Sequence, residues 1–271
     1  MNPDNRMQSR DMAISKQVAE FTMQVARPLI WHDINEPWPK RLLGGTCFVL
    51  RFGAGLIGIT AAHVIAKFER AHQASSKLTS LLRTARIDLA SAIIDRDETL
   101  DIATFGVTED QLTESEAVAI DCRSEWPPPV PDKGREISFG GFPEVLKKAW
   151  PQDSGEFRAY VSLSRVEDCT ERSIISTYDS QRDSRIRAAP EIPDLGANLS
   201  GCSGGPVMIH VVRNGLHIWF PVGLIVEGPR ASLDAEPRNY DTFTMRRLHF
   251  VNTDGSIRHD SVGWLPDGRS R

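Results

Sequence analysis

Residues 199–208 read L-S-G-C-S-G-G-P-V-M, so two serines, three glycines, a cysteine and a proline share ten positions. Glycines at 201, 204 and 205 permit backbone geometry that other residues resist. The chain can therefore turn sharply and present Ser203 at the apex, with amide N–H groups nearby. Such a turn suits a nucleophile beside an oxyanion hole. In acyl transfer a hydroxyl attacks a carbonyl, and fixed donors must meet the negative charge that develops. Loss of one donor costs on the order of 10² to 10³ in rate. The donors expected here are the backbone N–H groups of Gly201 and Ser203.

A serine hydroxyl is a poor nucleophile at neutral pH, so this chemistry needs a base within reach and a group that orients the base. Of the seven histidines, His63 stands apart: it follows the apolar run L-I-G-I-T and sits in T-A-A-H-V-I, where small Ala61 and Ala62 leave room for a partner. Two carboxylates qualify as orienter, Asp88 in I-D-L-A and Asp101 in L-D-I-A-T-F-G-V. Asp101 follows the polar stretch D-R-D-E-T and opens an apolar run, the pattern of an acid at the entry of a strand, and is preferred. Asp88 falls inside a strand candidate, where it would face solvent.

The elements that must position these groups read as mainly β. Residues 9–26, with Met12, Ile14, Val18, Phe21 and Val25 at three- and four-residue steps, predict one amphipathic helix as a lead-in over 1–40. From residue 45 the texture becomes short Val, Ile, Phe and Thr runs, with a hairpin turn at Gly53 and Gly55. Further strands are expected at 85–89, 91–95 and 101–107. The proline-rich stretch at 123–134 favours a stiff connector and marks a boundary between units 41–122 and 135–251. Beyond it, strands are expected at 135–142, 156–163, 173–178 and 206–212, the last turning through Asn214-Gly215, a strong hairpin signal. The segment 252–271 reads as a polar, loosely attached tail.

Taken together and in order, T-A-A-H-V-I, L-D-I-A-T-F and G-C-S-G-G-P resemble the His, Asp and Ser motifs of the chymotrypsin-like (trypsin-fold) serine proteases, over roughly residues 40–250. The chain order His, Asp, Ser is the one associated with that fold. The resemblance implies an all-β, mainly antiparallel fold of two six-stranded β-barrels with the catalytic set in the cleft between them. It implies Ser203 as nucleophile, His63 as general base and Asp101 as orienting acid, and leaves Ser200 as a loop residue. It also implies a primary pocket with Ala197 at its floor and Val226, Glu227 and Gly228 along one wall, where an extended substrate would pair as an added strand. An uncharged floor argues against a strict Arg or Lys preference.

One position departs from the digestive members of that family. Where they carry an aspartate before the nucleophile, this chain has Cys202, so activation by a newly released amino terminus is not expected. The implied relatives are bacterial and intracellular trypsin-like peptidases. Cys202 and Cys47 are read as small buried thiols.

Composition predicts a soluble globular protein. With 271 residues and 40% apolar content, the chain can bury a large core, and a formal charge of −4 lacks the basic footprint of a nucleic-acid binder. No apolar run reaches the length of a membrane span, and the polar N-terminus has no signal-peptide pattern, so a cytoplasmic location is expected. Four scattered cysteines, at 47, 122, 169 and 202, make neither a disulfide framework nor a zinc site. The other histidines lack metal-ligand spacing, although His210 and His217 flank the hairpin and can face each other. Neither metal nor cofactor is expected, and the expected partner is a protein or peptide substrate. The competing expectation is a trypsin-fold binding or regulatory module whose catalytic set is silent, or autoinhibited by the N-terminal helix.

Overall fold

The computed structural model describes residues 17, 20–37, 42–75, 77–150, 154–178, 184–187, 198–228 and 241–259. Helix α1 includes residues 20–25 and leads into β1 (Arg27–Asp33), β2 (Leu43–Phe52) and β3 (Gly55–Thr60). Next come helix α2 (Ala62–Ala74), strands β4 (Leu78–Leu82) and β5 (Ala85–Arg86), the short helix α3 (Leu89–Ala92), and strands β6 (Ile93–Asp97) and β7 (Ile102–Val107). Helix α4 (Glu109–Glu114) and β8 (Ile120–Asp121) precede the proline-rich connector. No strand or helix is assigned over 123–134.

After the connector come β9 (Glu136–Gly141), the small hairpin of β10 (Lys147–Trp150) and β11 (Ser154–Phe157), and β12 (Tyr160–Cys169). Strands β13 (Ser173–Tyr178), β14 (Ser184–Arg187), β15 (Pro206–Arg213), β16 (Leu216–Glu227) and β17 (Asp241–Arg247) complete the chain order. In this half, β13, β17, β16, β15, β9 and β12 pair in sequence, and β12 pairs again with β13, closing a six-stranded antiparallel barrel. Asn214 and Gly215 both take positive φ, 52° and 78°, the conformation a two-residue primed turn demands between β15 and β16.

The first half differs from the expected six-stranded barrel. Its strands run β5-β4-β1-β2-β3-β7-β6, with β8 paired in parallel to β2, and among the described residues no pairing joins the two ends. The edge of β5 is met by a helix instead: Gln111 of α4 donates from Nε2 to the Arg86 carbonyl, 3.1 Å. Asp88 then starts α3, which carries the chain away from β5 toward β6. The strand expected at 85–89 is accordingly only two residues long.

Strand β1 belongs to this sheet, so the lead-in over 1–40 contributes a full strand as well as a helix. Of the predicted helical positions, Phe21 and Val25 lie in α1, whereas Met12, Ile14 and Val18 fall outside the described residues. Trp31 of β1 packs edge-on against Phe68 of α2, ring centroids 5.6 Å apart, and with Ala62, Val64 and Ile65 anchors the buried face of that helix. Burying a side chain of this size stabilises by about 1.5–3 kcal/mol.

Two hydrophobic cores result, one per sheet, and they are not divided by the connector alone. Met208, Leu224, Leu248, Phe250, Val251 and Ile257, all after it, complete the first core. The stretch 252–259 is therefore not a loose tail. Val251 bridges Ile257, Thr104 donates to the Gly255 carbonyl (2.6 Å), and His259 sits between two acids of β6. Its Nδ1 lies 2.9 Å from Asp97 Oδ2, and its Nε2 lies 2.9 Å from the Asp95 carboxylate. Residues 260–271 fall outside the described residues. No described helix is long and apolar enough to cross a membrane.

The hydrogen bond to Asp95, with support from Asp97, raises the His259 pKa above its ordinary 6.5. Protonation is thus favoured in the folded state, so the clamp contributes fully below pH 6.5 and is lost as pH rises through the raised value. His249 acts in the opposite sense: burial lowers it to about 4, which costs stability as pH falls below 6.5. His259→Gln is expected to lower Tm relative to the parent at about pH 5.5 and to lose most of that difference by about pH 9. The paired comparison cancels His249, and a gap that widens with pH contradicts the assignment.

Candidate functional site

The position of His63 follows from how α2 begins. Ala61 precedes the helix and has no side chain able to cap it. The first-turn N–H of His63 is taken instead by Asp101 Oδ1 at 2.9 Å, across 38 residues of sequence. The other oxygen of the same carboxylate, Oδ2, lies 2.8 Å from His63 Nδ1. One acid thus satisfies an orphan donor at the positive end of a helix and fixes the ring of the residue that owns it. With Nδ1–H donating to Asp101, Nε2 is left as the acceptor nitrogen.

Asp101 is itself held in an unusual conformation, φ +56°, in the left-handed region that Asp tolerates better than most residues. The turn before it is shaped by Asp97 Oδ1, which accepts from the Leu100 N–H at 2.8 Å. The Leu100 carbonyl accepts from Arg246 Nε, 2.5 Å, and Arg246 also donates to Ser173 Oγ at 2.8 Å. Burial lowers the Arg246 pKa, and the nearby Asp101 charge opposes that shift. The alternative acid, Asp88, is engaged elsewhere, since its carboxylate caps α3 by accepting from the Ser91 N–H and hydroxyl at 3.3 and 2.8 Å.

The turn at 199–205 holds its amides by capturing its carbonyls. The Ser200 carbonyl accepts from Glu144 N at 2.6 Å, and the Cys202 carbonyl from Gly205 N at 2.9 Å. In a planar trans peptide the N–H points opposite to the C=O. The N–H groups of Gly201 and Ser203 are therefore turned away from these anchors, and among the described residues neither donates to a protein acceptor. The cost of the turn falls on glycine. Gly201 and Gly204 have φ of +99° and +86°; a Cβ on Gly201 would come within 2.6 Å of the Phe142 carbonyl oxygen, and one on Gly204 would enter the Thr46 carbonyl oxygen.

His63, Asp101 and Ser203 all line one cleft of about 780 Å³, together with Asn198–Ser200, Ile225–Gly228 and the β17 residues Phe243, Thr244 and Arg246. Of the expected pocket residues, Val226, Glu227 and Gly228 line it, and Ala197 lies outside the described residues. No hydrogen bond joins Ser203 Oγ to His63 among the described residues. The described part of α1 does not line the cleft; Thr22 bonds Ser138 of β9 (2.7 Å), and Phe21 packs on Trp219.

Cys202 and Cys47 are fully buried thiols whose pKa values burial pushes up, so both stay protonated at neutral pH. His210 and His217 do face each other, Nε2 to Nδ1 at 2.8 Å, stacked beside Trp219. No group of three or more metal-ligating side chains occurs among the described residues.

Three cleft-associated residues escaped the reading of the sequence. Lys67 lines the cleft one helical turn after His63, and the spacing V-I-A-K-F would place it there once α2 is recognised. Arg246 and Thr46 act through backbone carbonyls distant in sequence, for which no local signal exists.

Gly204→Ala combines left-handed strain with a collision against fixed backbone. It is expected to cost about 2–5 kcal/mol, seen as a large drop in Tm. Gly53→Ala, where a Cβ meets nothing within 4 Å, is expected to stay within about 0.5 kcal/mol of the parent.

No protein-family model matches the chain, and a search of curated proteins finds no match.

Proposed function

We propose that the chain is a serine endopeptidase that cleaves peptide bonds through an acyl-enzyme, in the manner of the trypsin-fold family its motifs resemble. The observation that carries this reading is the convergence of His63, Asp101 and Ser203 on one cleft, with a single carboxylate gripping both the backbone and the ring of the histidine. On this reading Ser203 Oγ attacks the scissile carbonyl and gives its proton to His63 Nε2. Asp101 stabilises the imidazolium, and the amides of Gly201 and Ser203 receive the oxyanion. The imidazolium then returns the proton to the leaving amine, and water repeats the sequence to release the acid. Val226–Gly228, at the cleft end of β16, would pair with the extended substrate.

In the same reading the closed barrel of the second half corresponds to one family barrel, and the eight-stranded sheet stands in place of the other. A cytoplasmic setting and a protein or peptide substrate belong to this proposal.

The second reading, a trypsin-fold binding module with a silent site, draws on one observation: Ser203 and His63 share no hydrogen bond. Such contacts are often long in free enzymes and tighten only with substrate bound.

Intact-mass analysis after treatment with a fluorophosphonate separates the two. The expected result is one adduct on Ser203, none in Ser203→Ala, labelling slowed by on the order of 10³–10⁴ in Asp101→Asn, and parent-like labelling in Asp88→Ala. A folded parent that labels no faster than Ser203→Ala sinks the peptidase reading.

A further inference from the structure

Four hydrogen bonds converge on Thr46, a residue of β2 with no solvent exposure. Its N–H donates to the Ser203 carbonyl at 3.0 Å, and its hydroxyl donates to the Gly201 carbonyl at 2.7 Å. The same hydroxyl accepts from the Phe142 N–H at 2.9 Å, while the Thr46 carbonyl accepts from the Thr60 hydroxyl at 2.7 Å. One side chain from the first sheet thus binds two segments of the second half, the turn at 199–205 and the end of β9.

The peptides it grips are specific ones. The proposed oxyanion amides belong to the 200–201 and 202–203 peptides, whose carbonyls are held by Glu144 N and Gly205 N. Thr46 holds the two that alternate with them, through the carbonyls of Gly201 and Ser203. The 202–203 peptide is therefore pinned by Thr46 on both sides, and the 200–201 peptide by Thr46 on one side and by the Cys202 N–H on the Leu199 carbonyl, 3.0 Å, on the other. A flip of the 200–201 peptide would have to rotate about Gly201, whose carbonyl is fixed by the Thr46 hydroxyl.

We infer that Thr46 is the positioning residue that sets the oxyanion hole, an inference that rests on the peptidase reading above. It touches neither substrate nor reacting atoms and acts through the carbonyls of Gly201 and Ser203. A hydroxyl fills the post with one atom, donating to the Gly201 carbonyl and accepting from the Phe142 N–H at once. Serine can do both. Valine matches the shape and does neither, leaving a buried C=O and a buried N–H unpaired.

The test separates capture of a fluorophosphonate (KI) from phosphonylation of Ser203 (kinact), since only the second places an oxygen in the hole. Thr46→Val is expected to lower kinact by about 10²–10³, the effect of losing an oxyanion donor, with KI within about twofold. Thr46→Ser is expected to stay within about threefold of the parent in both. Thr46→Ala, which removes the same two side-chain hydrogen bonds with a smaller side chain, is expected to lower kinact to the same extent at unchanged KI. It serves as the decisive variant should Thr46→Val not fold.

A folded Thr46→Val with parental kinact overturns the inference. So does a loss that Thr46→Ser shares in full, or, where Thr46→Val does not fold, parental kinact in Thr46→Ala. A parent that takes no label sinks the peptidase reading and this inference with it; a labelled parent whose Thr46→Val variant keeps its kinact sinks only this one.

Discussion

The grip of the Asp101 carboxylate on His63 is the constraint around which the rest of the molecule is arranged. A helix that starts at Ala62 without a side-chain cap leaves N–H groups exposed at its positive end, and Asp101 supplies the missing acceptor from the turn before β7. Because the second carboxylate oxygen reaches Nδ1 of the same residue, helix start and ring orientation are one interaction. Asp101 reaches both from a left-handed backbone, and Asp97 and Arg246 bind the N–H and C=O of the preceding Leu100. The strain there is borne by a network of carboxylate and guanidinium contacts rather than by a glycine.

The same economy joins the two halves. A hinge made of the connector alone would let the cleft open and close, but the seam is crossed in several places. Thr22 meets Ser138, Trp126 donates to the Val251 carbonyl at 2.7 Å, and Leu248–Val251 return to the first core. Thr46 adds backbone and side-chain bonds directly behind Ser203. Buried hydrogen bonds of this sort contribute about 1 kcal/mol each when made and cost more when one partner is lost. The relative placement of His63 and Ser203 is therefore set by groups that have few alternatives.

What the sequence made legible was whatever is encoded locally. Glycine spacing announced the turn at Ser203, Asn214-Gly215 announced a hairpin, and small residues before His63 announced room for a partner. Strand β1 was hidden because R-P-L-I-W-H-D does not alternate and follows directly on a helix, with both faces largely buried. The stretch 252–259 looked loose because its sequence is polar, yet that polarity is what binds it, through His259 to Asp95 and Asp97 and through backbone groups to Thr104 and Asp95. Asp88 and Asp101 occupy near-identical sequence contexts, and only the fold shows that one caps α3 and the other caps α2 from a distance. The closed barrel was legible as short strands with turns. The first sheet, unclosed among the described residues, was not, because what meets its β5 edge is a helix, through a contact of Gln111 with Arg86 across 25 residues of sequence.

The residue before Ser203 shows how the turn is stabilised. Cys202 is buried and, with its pKa pushed up, carries no charge. The turn is instead held by the carbonyls of Ser200, Gly201, Cys202 and Ser203, each bound by a neutral N–H or hydroxyl. A buried ion pair in this place would couple loop order to the protonation of its partners and would carry a desolvation cost that often exceeds its attraction. Neutral donors avoid both. Among the described residues the order of the turn thus rests on packing and on these neutral contacts, the two from Thr46 included, and on no ion pair at position 202.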